Sequence, residues 1–205
     1  AMQEKKVDVE RTRYDLPDPF IVLATQNPIE QIGTYPLAEA QVDRFMVKYD
    51  VVHPHREEEQ ELIVRKHSNF EELKADVQTV ITPEDVLTLQ QQIHDGVRVT
   101  ETVMNYMINI CIATRPPTTY NGNRHHADIY QYIRLGVSPR ATEFLLSLSK
   151  AYAFCQGRDF VTFDDVNQCA AHVLRHRILL NSQAVAHQIT VDMIVNEIFK
   201  LLRPY

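Results

Sequence analysis

Two kinds of hydrophobic pattern divide the chain near residue 53. Before that point, apolar residues form an unbroken run at residues 20–24 and an alternating pattern at residues 45–52. An unbroken run is typical of a strand buried on both faces of a parallel sheet, and alternation is typical of a strand with one exposed face. After that point, apolar residues recur at the three- and four-residue spacing of amphipathic helices. The pattern therefore predicts an α/β segment followed by a helical bundle.

A looser alternation at residues 6–14 predicts two short strands with a turn between Glu10 and Thr12. This pair is equally typical of an edge ribbon and of a hairpin that leads into the buried strand. Both alternatives place the strands in the α/β segment.

Capping residues mark where the helices of the second part begin. Ser and Thr at a helix start accept hydrogen bonds from the free N–H groups of the first turn, and Pro is favoured at the first helical position, where Pro83 and Pro139 stand. A charged helix is also predicted over residues 57–67, with Leu62 and Ile63 turned inward. The predicted N-caps are Thr82, Thr100, Ser138, Thr162 and Thr190.

Composition excludes several classes of protein. The chain has 205 residues, of which 44% are hydrophobic and 23% are charged, as in an ordinary globular protein. Its net charge of −6 argues against a broad nucleic-acid interface, and no apolar run approaches the roughly 20 residues that span a bilayer. Cys111, Cys155 and Cys169 show no CxxC spacing, so we expect buried thiols in a reducing compartment, the cytoplasm.

The nine histidines do not predict a metal site. His172 and His176 share a helix face, but Val173 stands where the HExxH motif of zinc proteases requires glutamate. His125 and His126 lie in a long polar loop at residues 118–128, where solvation is the simpler interpretation. We expect no metal ligands in this chain.

The stretch at residues 20–45 reads FIVLATQNPIEQIGTYPLAEAQVDRF. Its apolar run ends just before Asn27, and open α/β sheets bind ligands beyond the carboxyl ends of their strands. The amide of Asn27 can both donate and accept, so it can hold a water or a phosphate oxygen. Arg44 stands between Asp43 and the aromatic Phe45. Residue types alone favour a capping Asn and a surface Arg.

A second candidate is the string GVSPRA at residues 136–141, which opens a predicted helix. The helix dipole disfavours a cation at this position, so Arg140 indicates an anion near the helix start. A guanidinium group binds a phosphate through two parallel hydrogen bonds. The position of Arg140 alone is also explained by a side chain that points to solvent or pairs with Glu143.

The strings ATQNP, GTYPL and EAQVDRF together closely resemble the MoxR family of AAA+ ATPases, and GVSPRA resembles the sensor 2 motif of that family. The resemblance implies catalytic roles for Asn27, as the sensor 1 residue beside the γ-phosphate, and for Arg44, as an arginine finger offered to the neighbouring subunit. It also implies that Asn27, Arg44 and Arg140 bind the nucleotide. Arg140 then acts either on the nucleotide of its own subunit or on that of its neighbour.

The resemblance further implies a fold class and partners. Residues 1–53 are expected to be the C-terminal part of an AAA+ P-loop NTPase core with an incomplete α/β sheet, and residues 54–205 an α-helical lid domain, so that the chain is mostly α by residue count. ATP and Mg²⁺ are the implied cofactors. The implied assembly is a homo-oligomeric ring, usually a hexamer, that remodels or activates partner proteins, including proteins with a von Willebrand factor A domain.

Neither a GxxxxGK[ST] loop nor an apolar strand ending in Asp-Glu occurs in the 205 residues. In the family both precede the sensor 1 strand, so we expect this chain to be the C-terminal part of a longer ATPase, with the magnesium ligands upstream. The chain alone is then inactive. The alternative is a degenerate AAA+ adaptor without its own hydrolysis, which an upstream GxxxxGK[ST] would exclude.

Overall fold

A computed structural model describes residues 4–10, 12–26, 37–67, 78–116 and 127–202. These residues are mostly helical with small sheets, which confirms the predicted fold class. The helices are α1 (Glu39–Val42), α2 (Arg56–His67), α3 (Pro83–Gly96), α4 (Glu101–Ala113), α5 (Ala127–Tyr130), α6 (Pro139–Cys155), α7 (Phe163–Leu174), α8 (Ser182–Ala186) and α9 (Val191–Leu201). The strands are β1 (Lys6–Val9), β2 (Thr12–Asp15), β3 (Ile133–Leu135) and β4 (Leu179–Leu180).

The strands form two antiparallel ribbons, β1 with β2 and β3 with β4. In the first ribbon Val7 lies opposite Tyr14, and Glu10 in the turn has a φ of 48°, in the left-handed region. The predicted pair of short strands at residues 6–14 is therefore confirmed. The second ribbon joins the segment before α6 to the segment after α7.

Two predicted strands are absent from the part of the chain that the structure describes. Residues 20–26 join no sheet, and Ile21 and Leu23 are 70% and 91% exposed. Residues 45–52 are irregular, and Val51 is 97% exposed. A strand of a parallel sheet needs hydrogen-bonded neighbours and cover on both faces, and the described residues supply neither.

The hydrophobic core lies among α4, α6, α7 and α9. On each helix the buried residues recur at helical spacing, so one face of each helix packs inward. On α6, for example, Ala141, Leu145, Ser149 and Ala153 are four apart and all buried. Fully buried residues of the other helices include Ile110, Val166, Ala170, Val173 and Ile198.

The predicted helix starts are confirmed, with one change at Ser138. The side chains of the other four predicted caps each accept a hydrogen bond from the N–H group three residues later. The hydroxyl of Ser138 instead lies 3.0 Å from the Asp43 carboxylate and donates to it. The start of α6 therefore contacts the segment that carries Arg44.

Two predictions of burial are wrong. Leu62 and Ile63 of α2 are each 57% exposed, and no residue of this charged helix is buried. Cys155 is exposed at the last position of α6, whereas Cys111 and Cys169 are buried as predicted. Among the described residues, no helix is long and apolar enough to cross a membrane.

Gly136 allows a close approach between two backbone segments just before α6. A Cβ atom at this position would lie 2.4 Å from the carbonyl oxygen of Thr114 and 2.8 Å from the Cα of Arg115. The segments are held together by hydrogen bonds from the Val137 N–H to the Thr114 hydroxyl and from Arg115 Nε to the Val137 carbonyl, each 3.0 Å long. Any larger side chain at Gly136 must separate them.

Gly136→Ala should therefore destabilise the protein by about 1–3 kcal/mol, the usual cost of overpacking. Urea unfolding followed by circular dichroism measures this change. Gly96→Ala is the matched control, because a Cβ there would meet nothing within 4 Å. Equal stability of the two variants would show that the Gly136 contact relaxes without cost.

Candidate functional site

The structure describes two of the three predicted site residues, Arg44 and Arg140, and the third, Asn27, lies outside the described residues. Arg44 follows α1 and is exposed. Arg140, the second residue of α6, is partly buried and donates from Nη1 to Oδ2 of Asp43 over 3.0 Å. Because Asp43 precedes Arg44 in the chain, its carboxylate links the two arginine positions.

The Asp43 carboxylate accepts hydrogen bonds from three side chains of the helical part. Besides Arg140, Arg177 donates from Nε to Oδ1 over 2.9 Å, and the Ser138 hydroxyl lies 3.0 and 3.2 Å from the two oxygens. Burial raises the pKa of Asp43, but the hydrogen bonds from Ser138 and Arg177 outweigh it and hold this pKa below its ordinary value. Asp43 is therefore ionised at neutral pH.

Arg177 binds the backbone on both sides of Arg44. Its Nη2 atom donates to the carbonyl oxygen of Asp43 over 2.9 Å and to that of Phe45 over 2.5 Å, and its Nη1 atom donates to that of Met46 over 3.2 Å. Its side chain is only 1% exposed. Burial lowers the pKa of Arg177, and the Asp43 carboxylate opposes that shift. A buried guanidinium needs such a set of acceptors to offset its desolvation.

His172 and His176 hold the next part of the same segment. The carbonyl oxygen of His172 accepts a hydrogen bond from the Lys48 N–H over 3.0 Å. The imidazole ring of His172 packs on the Tyr49 ring, with centroids 4.3 Å apart. Nε2 of His176 lies 2.9 Å from the Phe45 carbonyl oxygen. Burial lowers the pKa of His176 to about 4, and the charge of Arg177 adds to this effect, so the ring is neutral at neutral pH.

The site therefore offers guanidinium groups for an anion. Arg140 stands at a helix start and pairs there with the Asp43 carboxylate. Arg44 is exposed while the backbone on either side of it is held, so it can reach an anion supplied from outside the chain. Within the described residues no group of three His, Cys, Asp or Glu side chains is placed to hold a metal ion. An exposed guanidinium group such as that of Arg44 is suited to bind a phosphate.

Sequence reasoning missed Arg177 and treated Asp43 only as a neighbour of Arg44. A signal for Arg177 exists, because it directly precedes the apolar Ile178, Leu179 and Leu180. A charge beside an apolar segment is costly unless it is paired. The sequence pattern does not identify the partner.

Two family models match the chain. Residues 1–47 match the ATPase family associated with various cellular activities (AAA), and residues 126–198 match the AAA lid domain. Arg44 lies in the first match, and Arg140 and Arg177 lie in the second. The cluster of Asp43 with Ser138, Arg140 and Arg177, called the Asp43 cluster below, therefore joins the two matched segments.

Similar proteins match nearly all of the chain. It is 35% identical over 200 residues to Chaperone MoxR1 of Mycobacterium tuberculosis, covering 98% of this chain and 51% of that protein. It is 34% identical over 206 residues to the uncharacterized protein YeaC of Bacillus subtilis, covering 99% of this chain and 58% of that protein. The chain thus spans about half the length of the curated relatives it matches.

A solved structure gives the same picture of the fold. The crystal structure of a Cytophaga hutchinsonii protein, assigned as an ATPase, matches with a TM-score of 0.84 and 40% identity. The match covers 97% of this chain and 58% of that one.

Proposed function

Because this chain belongs to the MoxR family of AAA+ ATPases, we propose that it is the sensor and lid portion of an enzyme that couples ATP hydrolysis to the remodelling of partner proteins. The observation that carries this proposal is an exposed Arg44 on a segment held against the lid by Arg177. An exposed guanidinium on a held backbone suits the stabilisation of phosphoryl transfer, which depends mainly on positioning and charge.

Each candidate residue has a separate role in this proposal. Asn27 orients the attacking water, and Arg44 reaches the γ-phosphate of ATP bound by the adjacent subunit of a homo-oligomeric ring, usually a hexamer. Arg140 exchanges the Asp43 carboxylate for a nucleotide phosphate and so couples the lid to the nucleotide. The ligands of Mg²⁺ are proposed to lie upstream of this chain, as the family resemblance implies.

The remaining parts of the proposal concern organisation and partners. We assign residues 1–53 to the ATPase core and residues 54–205 to the lid, so that the Asp43 cluster lies at their junction. Chaperone-like activity is supported by the name of the relative Chaperone MoxR1. Proteins with a von Willebrand factor A domain are the proposed partners, and the cytoplasm is the proposed compartment.

The experiment compares the full-length protein with the 205-residue chain. The full-length protein should release phosphate from ATP, whereas the chain alone should bind ATP weakly and show no turnover, because its sequence contains no GxxxxGK[ST]. Phosphate release and calorimetric titration measure the two properties.

Arg44→Ala in both proteins identifies contamination, because turnover by a contaminating ATPase does not respond to this change. Turnover by the 205-residue chain that Arg44→Ala abolishes would contradict the proposal that this chain alone cannot hydrolyse ATP. A folded full-length protein without turnover would instead support the adaptor alternative and overturn the proposed ATPase.

A further inference from the structure

The guanidinium of Arg177 binds backbone carbonyl groups on both sides of Arg44. It donates to the carbonyl oxygens of Asp43, Phe45 and Met46 and, from Nε, to the Asp43 carboxylate. Backbone positions before and after Arg44 are thus fixed to one side chain, while Arg44 itself is exposed.

The same side chain is fixed to the lid helices. Nη1 of Arg177 donates to the carbonyl oxygen of Val173 in the last turn of α7, and its Cζ lies 5.0 Å from the ring centroid of Phe144 on α6. Because the side chain is 1% exposed, water competes little for its donors. Arg177 therefore connects α6 and α7 directly to the backbone that carries Arg44.

We propose that Arg177 is a positioning residue for Arg44, holding the arginine finger to the lid so that the two move together. This inference rests on the proposed role of Arg44 in hydrolysis. A planar guanidinium fork can serve acceptors in several directions from a fixed position, which a lysine ammonium cannot do equally well. Misplacing a catalytic group by about 1 Å can cost on the order of 10²-fold in rate.

The test uses the full-length protein with Arg177→Met and Arg177→Lys. Arg177→Met should lower kcat by about 10²-fold and leave KM for ATP nearly unchanged, because the variant still binds its own nucleotide. Arg177→Lys should fall between this variant and the wild type, because it keeps the charge but not the fork. A general loss of structure would also lower the apparent kcat at unchanged KM, so each kcat is divided by the folded fraction that circular dichroism measures for that variant.

Arg158→Met is the matched control. Arg158 is bonded to the buried Asp165 near the other end of α7, so its removal also breaks an ion pair with a buried carboxylate. The Arg158 guanidinium donates to the Asp165 carboxylate and to the Phe160 carbonyl oxygen, away from residues 43–46. The kcat of Arg158→Met should therefore remain that of the wild type. Equal kcat values for Arg177→Met and Arg158→Met would overturn the inference.

Amide hydrogen exchange provides a second measurement. It requires neither ATP hydrolysis nor a folded Arg177→Met variant. Amides of residues 43–48 should exchange faster in Arg177→Lys than in Arg158→Met, since the lysine cannot hold all the carbonyl groups. Wild-type exchange there, together with wild-type kcat, would also overturn the inference.

The Arg44→Ala variant separates this inference from the proposed function. If Arg44→Ala hydrolyses ATP normally, both fail, because there is no finger to position. If Arg44→Ala is inactive but Arg177→Met keeps full kcat, only the positioning role fails.

Discussion

Arg44→Ala in the full-length protein should lower ATP turnover by about 10³- to 10⁵-fold while leaving nucleotide binding largely intact. This loss corresponds to roughly 4–7 kcal/mol of activation barrier. A surface arginine whose only role is an ion pair contributes at most about 1 kcal/mol to stability and nothing to the barrier. Steady-state phosphate release and nucleotide titration separate the two interpretations.

Arg98→Ala is the control for that experiment. Arg98 is also exposed and pairs with Asp159 over 2.7 Å, in a part of the helical bundle that contributes no candidate site residue. We expect its turnover to equal that of the wild type. Full activity of Arg44→Ala would show that Arg44 is structural.

Mixed oligomers test whether Arg44 acts across a subunit junction. Arg44→Ala subunits have an intact nucleotide site, and subunits without the P-loop lysine have an intact Arg44. Mixing them should partly restore turnover at junctions where an intact finger meets an intact site. No restoration, in rings shown to contain both subunits, would argue that Arg44 acts within its own subunit.

The helices of this chain were predictable because their determinants are local. A cap such as Thr162 and the apolar stripe that follows it lie within one helix, and the structure begins α7 at the next residue. The run at residues 20–24 was not predictable in the same way, since a strand is defined by its neighbours. Leu23 is 91% exposed because the described residues provide no sheet to cover it.

The candidate site was predictable only in part. Motif resemblance identified Arg44 and Arg140, but their link through Asp43 depends on residues that are 97 and 134 positions away from it in the chain. Ser138 illustrates the difficulty, because its sequence position is that of a helix cap. In the structure its hydroxyl binds the Asp43 carboxylate, since a charged acceptor forms the stronger hydrogen bond.

Asp43→Ala should destabilise the protein by about 3 kcal/mol, because it leaves the buried charge of Arg177 without its carboxylate. Removing one partner of a buried ion pair costs about 3–5 kcal/mol, and we expect the lower value because Arg177 keeps its carbonyl acceptors. Urea unfolding measures the change. Asp50→Ala is the matched control: Asp50 pairs with Lys48 and Arg175 but is 56% exposed, so at most about 1 kcal/mol should be lost.

The Asp43 carboxylate should make the free energy of unfolding depend on pH in the acidic range. The pKa of Asp43 is lower in the folded protein than its ordinary value of about 3.9, so the unfolded chain binds more protons in this range and stability rises with pH. The contribution of Asp43 is therefore complete above about pH 5 and is lost as pH falls through the folded value. The difference in unfolding free energy between wild type and Asp43→Asn should accordingly be constant near neutral pH and shrink below about pH 4. A difference that stays constant down to the acid transition would show that the ion pair with Arg177 does not contribute to stability.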